Sequence, residues 1–182
     1  MSLTPSNMTE LGSPLPAFRL PDPHGVEVDS EQFRDTPLLV AFICNHCPFV
    51  KHVADAFAEF AREYGERGLA VVAINSNDFQ AQPDDRPEHM IEEAQARDYP
   101  FPYLVDETQD VARAFQAACT PDFFLYDRNH RLVYRGQFDD SRPSKETPVT
   151  GKDLRAAADA VLAGQTPDAD QMPSMGCNIK WK

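Results

Sequence analysis

Basic residues are scarce in this chain: Lys and Arg number 17 against 29 Asp and Glu, a formal net charge of −12. Nucleic acid and anionic membrane both select clustered basic residues, so neither is expected as a main partner. Long apolar runs are missing, and so is a basic-then-apolar leader at the N-terminus. No membrane span or secretory signal is therefore expected, and the cytoplasm is the expected location. Cysteine is sparse too, since four in 182 residues do not make a disulfide scaffold. Internal repeats and low-complexity tracts are absent. What is present is a hydrophobic fraction of 42%, enough for a sizeable core, in a length that suits one domain over residues 1–182.

Two of the four cysteines stand together in Ile43-Cys44-Asn45-His46-Cys47-Pro48. An apolar run, Leu38 to Ile43, leads in and reads as a strand buried on both faces. Val50, Val53, Phe57, Phe60 and Tyr64 lead out at the spacing of an amphipathic helix, with Pro48 in its first turn and Gly65 or Gly68 at its end. A C-x-x-C at a strand-to-helix junction reads as a dithiol redox site. Unpaired N–H groups at a helix start stabilise a thiolate and lower its pKa. The expectation is Cys44 exposed at the helix mouth as nucleophile and Cys47 one turn in as the resolving thiol. His46, when protonated, would favour the Cys44 thiolate and make the pair more oxidising. A four-thiolate zinc site needs a second close pair, whereas Cys119 and Cys177 are single and far apart, so no metal is expected.

The remaining pattern is α/β. Residues 1–16, polar with Pro5, Pro14 and Pro16, read as a poorly ordered arm. Ala17–Leu20 and Val26–Val28 flank a Pro/Gly turn that contains His24, as in a hairpin. Leu69–Ile74 is a second buried strand, so the unit before it is a βαβ crossover with parallel strands. Asp85 with Glu88 three residues on reads as a capping-box start for the next helix. Lys51 and His52 are expected in solvent on the first helix. Phe123–Tyr126 and Arg131–Arg135 form a hairpin whose turn holds His130, and Thr150 caps a last helix that Gly164 closes. Residues 165–182 form a C-terminal tail.

This order, with C-x-x-C after the first core strand and Thr120-Pro121 just before a later one, resembles the thioredoxin fold. The resemblance implies a thioredoxin-like domain with an N-terminal β-hairpin, a central mixed sheet flanked by helices, and a C-terminal tail. It also implies a cis Thr120–Pro121 bond facing the dithiol. A cis X–Pro bond removes an N–H and turns the chain sharply, which leaves the backbone of Thr120 to pair with a substrate strand. The hairpin, C-N-H-C-P-F-V, Y-R-G-Q-F-D-D-S-R-P and the terminal G-C-N-I-K-W-K together resemble the peroxiredoxin-like redoxins related to AhpC/TSA. Peroxiredoxins carry P-x-x-x-T-x-x-C. With Cys47 as its cysteine, that pattern needs threonine at position 44 and proline at 40, where this chain has Cys44 and Val40.

The expected function is thiol–disulfide exchange: Cys44 and Cys47 react, His46 tunes them, Thr120 and Pro121 present the substrate, and no organic cofactor is required. The expected partners are a disulfide-containing protein or small thiol substrate and a reductant protein. A thiol peroxidase is the alternative. A copper-binding chaperone is another, since two thiolates and an imidazole suit copper. Such chaperones, however, use C-x-x-x-C-P with a distant His, and only His24 or His130 is available. Ile179 and Trp181 alternate with polar residues, so the tail is expected to dock as a strand. A lone cysteine is more often packing than chemistry, so Cys177 is expected as a packed or surface thiol and Cys119 as a small buried apolar residue. The alternative is that docking brings Cys177, or failing that Cys119, within reach of the dithiol as an accessory thiol.

Overall fold

The structure is a computed structural model and describes residues 2–182. Three short strands come first: β1 (Leu3–Pro5), β2 (Arg19–Pro21) and β3 (Glu27–Asp29). The βαβ unit follows as β4 (Leu38–Phe42), α1 (Pro48–Glu66) and β5 (Ala70–Asn75). Next come α2 (Pro87–Arg97), β6 (Tyr103–Val105), α3 (Asp110–Phe115) and the two-residue strand β7 (Cys119–Thr120). The hairpin of β8 (Asp122–Tyr126) and β9 (Leu132–Gly136) leads to α4 (Lys152–Leu162) and the last strand, β10 (Met175–Asn178).

The central sheet has the order β6-β5-β4-β8-β9. Strands β4, β5 and β6 run parallel, while β8 and β9 run antiparallel to their neighbours. This is the mixed sheet that the resemblance implies. All five residues of β4 are buried, because helices cover both faces. Successive side chains point to opposite faces. Leu39 and Ala41 therefore meet Phe57 and Phe60 of α1 and Leu154 and Ala158 of α4. Leu38, Val40 and Phe42 meet Ala112 and Phe115 of α3 and Leu20 and Val28 of the β2–β3 hairpin. Phe57 packs its ring 5.2 Å from those of Phe101 and Phe123. Truncating such a fully buried ring costs about 3–5 kcal/mol. Gly68, at φ +103°, allows the turn out of α1.

Three expectations change here. Residues 1–16 are not a loose arm: β1 pairs antiparallel with β10, Leu3 opposite Cys177. The Ser6 hydroxyl donates to Asp122 Oδ1 at 2.9 Å and so pins the segment to the start of β8. Asp85 does not cap α2. That helix starts at Pro87, and the Asp85 side chain turns inward instead. His52 is half-buried, with Nε2 3.1 Å from the Ser141 hydroxyl, rather than solvated. The tail does dock, although its strand lies earlier than Ile179–Trp181. Ile179 is buried just beyond β10, and Trp181 is exposed under the Arg113 guanidinium. Among the described residues, no helix is long and apolar enough to cross a membrane.

Candidate active site

The dithiol sits where β4 ends. The Ile43 N–H still bonds the Ile74 carbonyl at 3.0 Å, which extends the ladder by one residue. Cys44 to Cys47 then fold over the sheet end. Helix α1 begins only at Pro48, so Cys47 is its N-cap, and its carbonyl accepts from Val50 and Lys51 N–H at 3.1 and 2.9 Å. Cys44 lies outside the helix, three residues earlier. The expected placement is therefore shifted: Cys47, not Cys44, is at the helix mouth. The physical reason is Pro48, which lacks an N–H and fits the first helical position. Cys44 is also not exposed. Its residue exposure is 2%, and that of Cys47 is 0%.

Thr120 meets both sulfurs. The Thr120–Pro121 bond is cis. The Thr120 hydroxyl lies 3.4 Å from Cys44 Sγ, and the Thr120 carbonyl oxygen lies 3.4 Å from Cys47 Sγ. The edge expected to receive a substrate strand is closed, however. Strand β10 pairs antiparallel with β7, placing Cys177 opposite Thr120 and Asn178 opposite Cys119. Cys177 is buried, and its thiol hydrogen-bonds to Cys47. Cys119 alternates with Thr120, so its side chain points to the other face. Its thiol donates to the Pro121 carbonyl at 3.6 Å, and burial pushes its pKa far up. The structure thus gathers Cys44, Cys47, Thr120 and Cys177, and leaves Cys119 as a packed thiol.

The surroundings push the pKa values of the two thiols in opposite directions. A hydrogen bond from the Cys44 thiol pulls Cys47 down to about 5; burial opposes this, and the Cys177 thiol with the Val50 and Cys177 N–H groups assists. Cys44 is raised well above the usual thiol value, first by holding the proton of that bond, then by burial and by the Asp85 charge. This direction fits the geometry, because the helix N–H groups aim at Cys47 and a buried carboxylate faces Cys44.

His46 Nδ1 lies 2.7 Å from Asp85 Oδ2, off the line of an ideal ring N–H bond. Asp85 raises the His46 pKa, and burial only partly offsets that. Burial resists ionisation of Asp85, yet His46, the Asn45 N–H and Asn77 outweigh it and hold the carboxyl below its usual range. Its oxygens are well fixed. Oδ1 accepts from the Asn45 N–H at 2.8 Å and from Asn75 Nδ2 at 3.1 Å, and Oδ2 accepts from Asn77 Nδ2 at 3.0 Å. Tyr103 donates its hydroxyl to Asn45 Oδ1 at 2.8 Å and so ties the C-x-x-C loop to β6.

Cys44, His46 and Asp85 present ligand atoms within 4.8 Å of one another, a thiolate–imidazole–carboxylate set of the kind that holds zinc or copper. Asp85 Oδ1 already accepts two N–H bonds and Oδ2 one, which leaves Oδ2 as the oxygen with a lone pair toward His46. His24 and His130, the distant histidines, both sit in turns. His130 bonds the Thr36 carbonyl beyond the far end of β4, away from the dithiol. Sequence reasoning missed Asp85, Asn75, Asn77 and Tyr103. One signal was available: Asn75-Ser76-Asn77 is a polar run at the end of an otherwise apolar strand, beside the strand that carries the dithiol.

The AhpC/TSA family model matches residues 11–135. Peroxiredoxin Q, chloroplastic, from Suaeda salsa is 30% identical over 155 residues, which cover 80% of this chain and 67% of that protein. The crystal structure of a hypothetical protein from Sinorhizobium meliloti 1021 superimposes with a TM-score of 0.97 at 56% identity over 98% of both chains. That of an uncharacterized conserved protein from Geobacillus kaustophilus also gives 0.97, at 50% identity, over 100% of this chain and 97% of the other. A secreted Mycobacterium tuberculosis disulfide oxidoreductase shares the fold alone, with a TM-score of 0.62 at 15% identity over 79% of this chain and 95% of that one. The family match runs from the N-terminal hairpin through the dithiol to β9, and on that ground the chain, built on a thioredoxin-like fold, belongs to the AhpC/TSA family.

Proposed function

We propose that this protein is a thiol–disulfide oxidoreductase working through Cys44 and Cys47. The observation that carries the reading is geometric: two buried cysteine sulfurs at the start of α1, each 3.4 Å from Thr120 of the cis Thr120–Pro121 bond. Cys47 is enclosed by Thr120, Cys44 and Cys177. Cys44 lies next to His46, which lines a surface cleft with Lys51, Asp84, Glu92 and Glu93. Cys44 is thus the sulfur that meets the substrate. It passes its proton to Cys47, attacks one sulfur of a substrate disulfide and displaces the other as a thiolate. Cys47 then gives that proton to the displaced thiolate and attacks Cys44, releasing the second substrate sulfur as a thiolate that takes a proton from solvent. The substrate disulfide becomes two thiols and the dithiol becomes a disulfide, so atoms and electrons balance.

Asp85 raises the His46 pKa, and His46 in its protonated form supplies positive charge beside the pair. The substrate is a disulfide-containing protein or small disulfide, a reductant protein restores the dithiol, and the compartment is the cytoplasm. No organic cofactor takes part. The low pKa of Cys47 and the likeness to peroxiredoxin Q favour a second reading, a thiol peroxidase. Against it stand Cys44 and Val40, where the peroxidatic pattern has threonine and proline, and the complete burial of Cys47.

The test is turnover of a small disulfide with an added dithiol as electron source. Cys44→Ser should abolish it, and Cys47→Ser should accumulate mixed disulfides at Cys44. Wild-type turnover by Cys44→Ser would overturn the reading.

A further inference from the structure

A thiol–disulfide exchanger needs an open strand edge beside its dithiol, and this chain fills that edge with itself. Strand β10 lies on β7 in antiparallel register, and its residue opposite Thr120 is Cys177. The fit is close. Gly176 passes so near the Thr120 carbonyl that any side chain there would meet backbone. On its other edge β10 is held by β1, so the segment is locked between two strands. Cys177 belongs to the same buried cluster as Cys44 and Cys47. A third thiol is therefore offered to the dithiol in the place where a substrate strand would offer its own.

We infer that Cys177 is an internal disulfide partner of Cys47, so that β10 acts as a built-in substrate strand. This deepens the proposed function and rests on it. The step is an exchange. Once a substrate disulfide has converted the dithiol to Cys44–Cys47, the Cys177 sulfur gives up its proton and attacks Cys47. The Cys44–Cys47 bond breaks, a Cys47–Cys177 bond forms, and Cys44 leaves as a thiolate that takes up a proton. One disulfide replaces another, and no further oxidant is consumed. The result frees Cys44 for a second encounter while the oxidising equivalent is stored on the tail strand.

The charges allow this order. In the reduced protein, burial and then the Cys47 thiolate push Cys177 up to about 12, so it stays a thiol. Oxidation of Cys47 removes that negative charge. The Phe49 N–H at the start of α1 and the nearby Lys180 remain, and both favour a Cys177 thiolate. Cys119 cannot substitute, since it faces away from the dithiol.

The experiment maps disulfides directly. Reduced wild type and Cys44→Ser are oxidised with excess glutathione disulfide, quenched in acid with an alkylating reagent, digested with pepsin at low pH and sequenced without reduction by mass spectrometry. The expected result is a Cys47–Cys177 cross-linked peptide in wild type, with Cys177 losing alkylation in step with Cys47, and none in Cys44→Ser, which lacks the sulfur that meets the oxidant. The same cross-link in Cys44→Ser would overturn the relay through Cys44. If wild type forms Cys44–Cys47 while Cys177 remains alkylated in full, the inference is wrong and the dithiol reading stands. If wild type forms neither disulfide, both are wrong. The wild-type map decides without reliance on the folding of the variant.

Discussion

Gly176→Ala is the sharpest perturbation of the docked strand. A Cβ at Gly176 would lie 2.0 Å from the Thr120 carbonyl oxygen, 2.7 Å from its carbon and 3.2 Å from the Pro121 nitrogen. All three atoms are backbone, so no rotamer change relieves the clash and β10 must lift away from β7. Overpacking of this kind costs about 1–3 kcal/mol. If that cost falls on the docked state of β10 alone, the undocked fraction rises about 5- to 150-fold, at roughly 1.4 kcal/mol per tenfold. Cys177 and Cys47 are buried only while β10 is in place, so their alkylation under reducing conditions should accelerate by a similar factor. The assay is the alkylation rate of each cysteine, read peptide by peptide beside a denaturant titration. Gly65→Ala is the control, because a Cβ there has nothing within 4 Å. Wild-type alkylation rates at Cys47 and Cys177 in Gly176→Ala would refute the claim that β10 covers the dithiol.

Other groups give further expectations. Burial pushes Asp122 up to about 7, against hydrogen bonds from the Ala118 N–H and the Ser6 hydroxyl. A carboxyl raised in the folded state stabilises it below the unfolded value and loses that contribution as pH rises through the folded one. The Asp122 contribution to stability should therefore fall by about 4 kcal/mol as pH rises from about 4 through 7, at about 1.36 kcal/mol per unit. Asp122→Asn should flatten that slope, and an unchanged slope in denaturant titrations would contradict the assignment. His46 is raised by Asp85, so its contribution is complete below about 6.5 and is lost as pH rises through its folded pKa. Asp85→Asn should return the imidazole titration toward its ordinary range by NMR, and no movement would break the pairing. His46→Ala should make the dithiol more reducing, and a shift under about 10 mV, below 0.5 kcal/mol, would mean the imidazole charge is not felt. Hydrogen peroxide should oxidise the protein slowly, and stopped-flow oxidation at peroxiredoxin-like speed would favour the peroxidase reading instead.

The parts of the fold that repeat locally were legible. The uninterrupted apolar run at Leu38–Ile43 and the spacing of Val50, Val53, Phe57, Phe60 and Tyr64 are each set by near neighbours, and the structure buries all of them. What escaped depends on distant partners. Leu3–Pro5 becomes a strand only because Met175–Asn178 lies beside it, so nothing within residues 1–16 announces it. Asp85 followed by Glu88 looks like a helix start, yet the carboxyl finds better donors in Asn45, Asn75 and Asn77, far away in sequence. The dithiol was legible as a pattern, but its electrostatics were not. A three-position difference in where α1 begins, fixed by Pro48, moves the N-cap from Cys44 to Cys47 and the charge with it. The cis Thr120–Pro121 bond beside the dithiol was legible, but a local reading could not show that the chain's own end pairs with that edge.

The central claim is that Cys44 and Cys47 form a reversible redox pair. Its most direct measurement is equilibration of wild type and Cys177→Ser in glutathione buffers of graded potential, followed by acid quench and counting of alkylated thiols. The account predicts a single two-electron transition in each, with Cys177→Ser forming only the Cys44–Cys47 disulfide. A Cys177→Ser protein that keeps both thiols at every potential, or that gains only glutathione adducts, would contradict it.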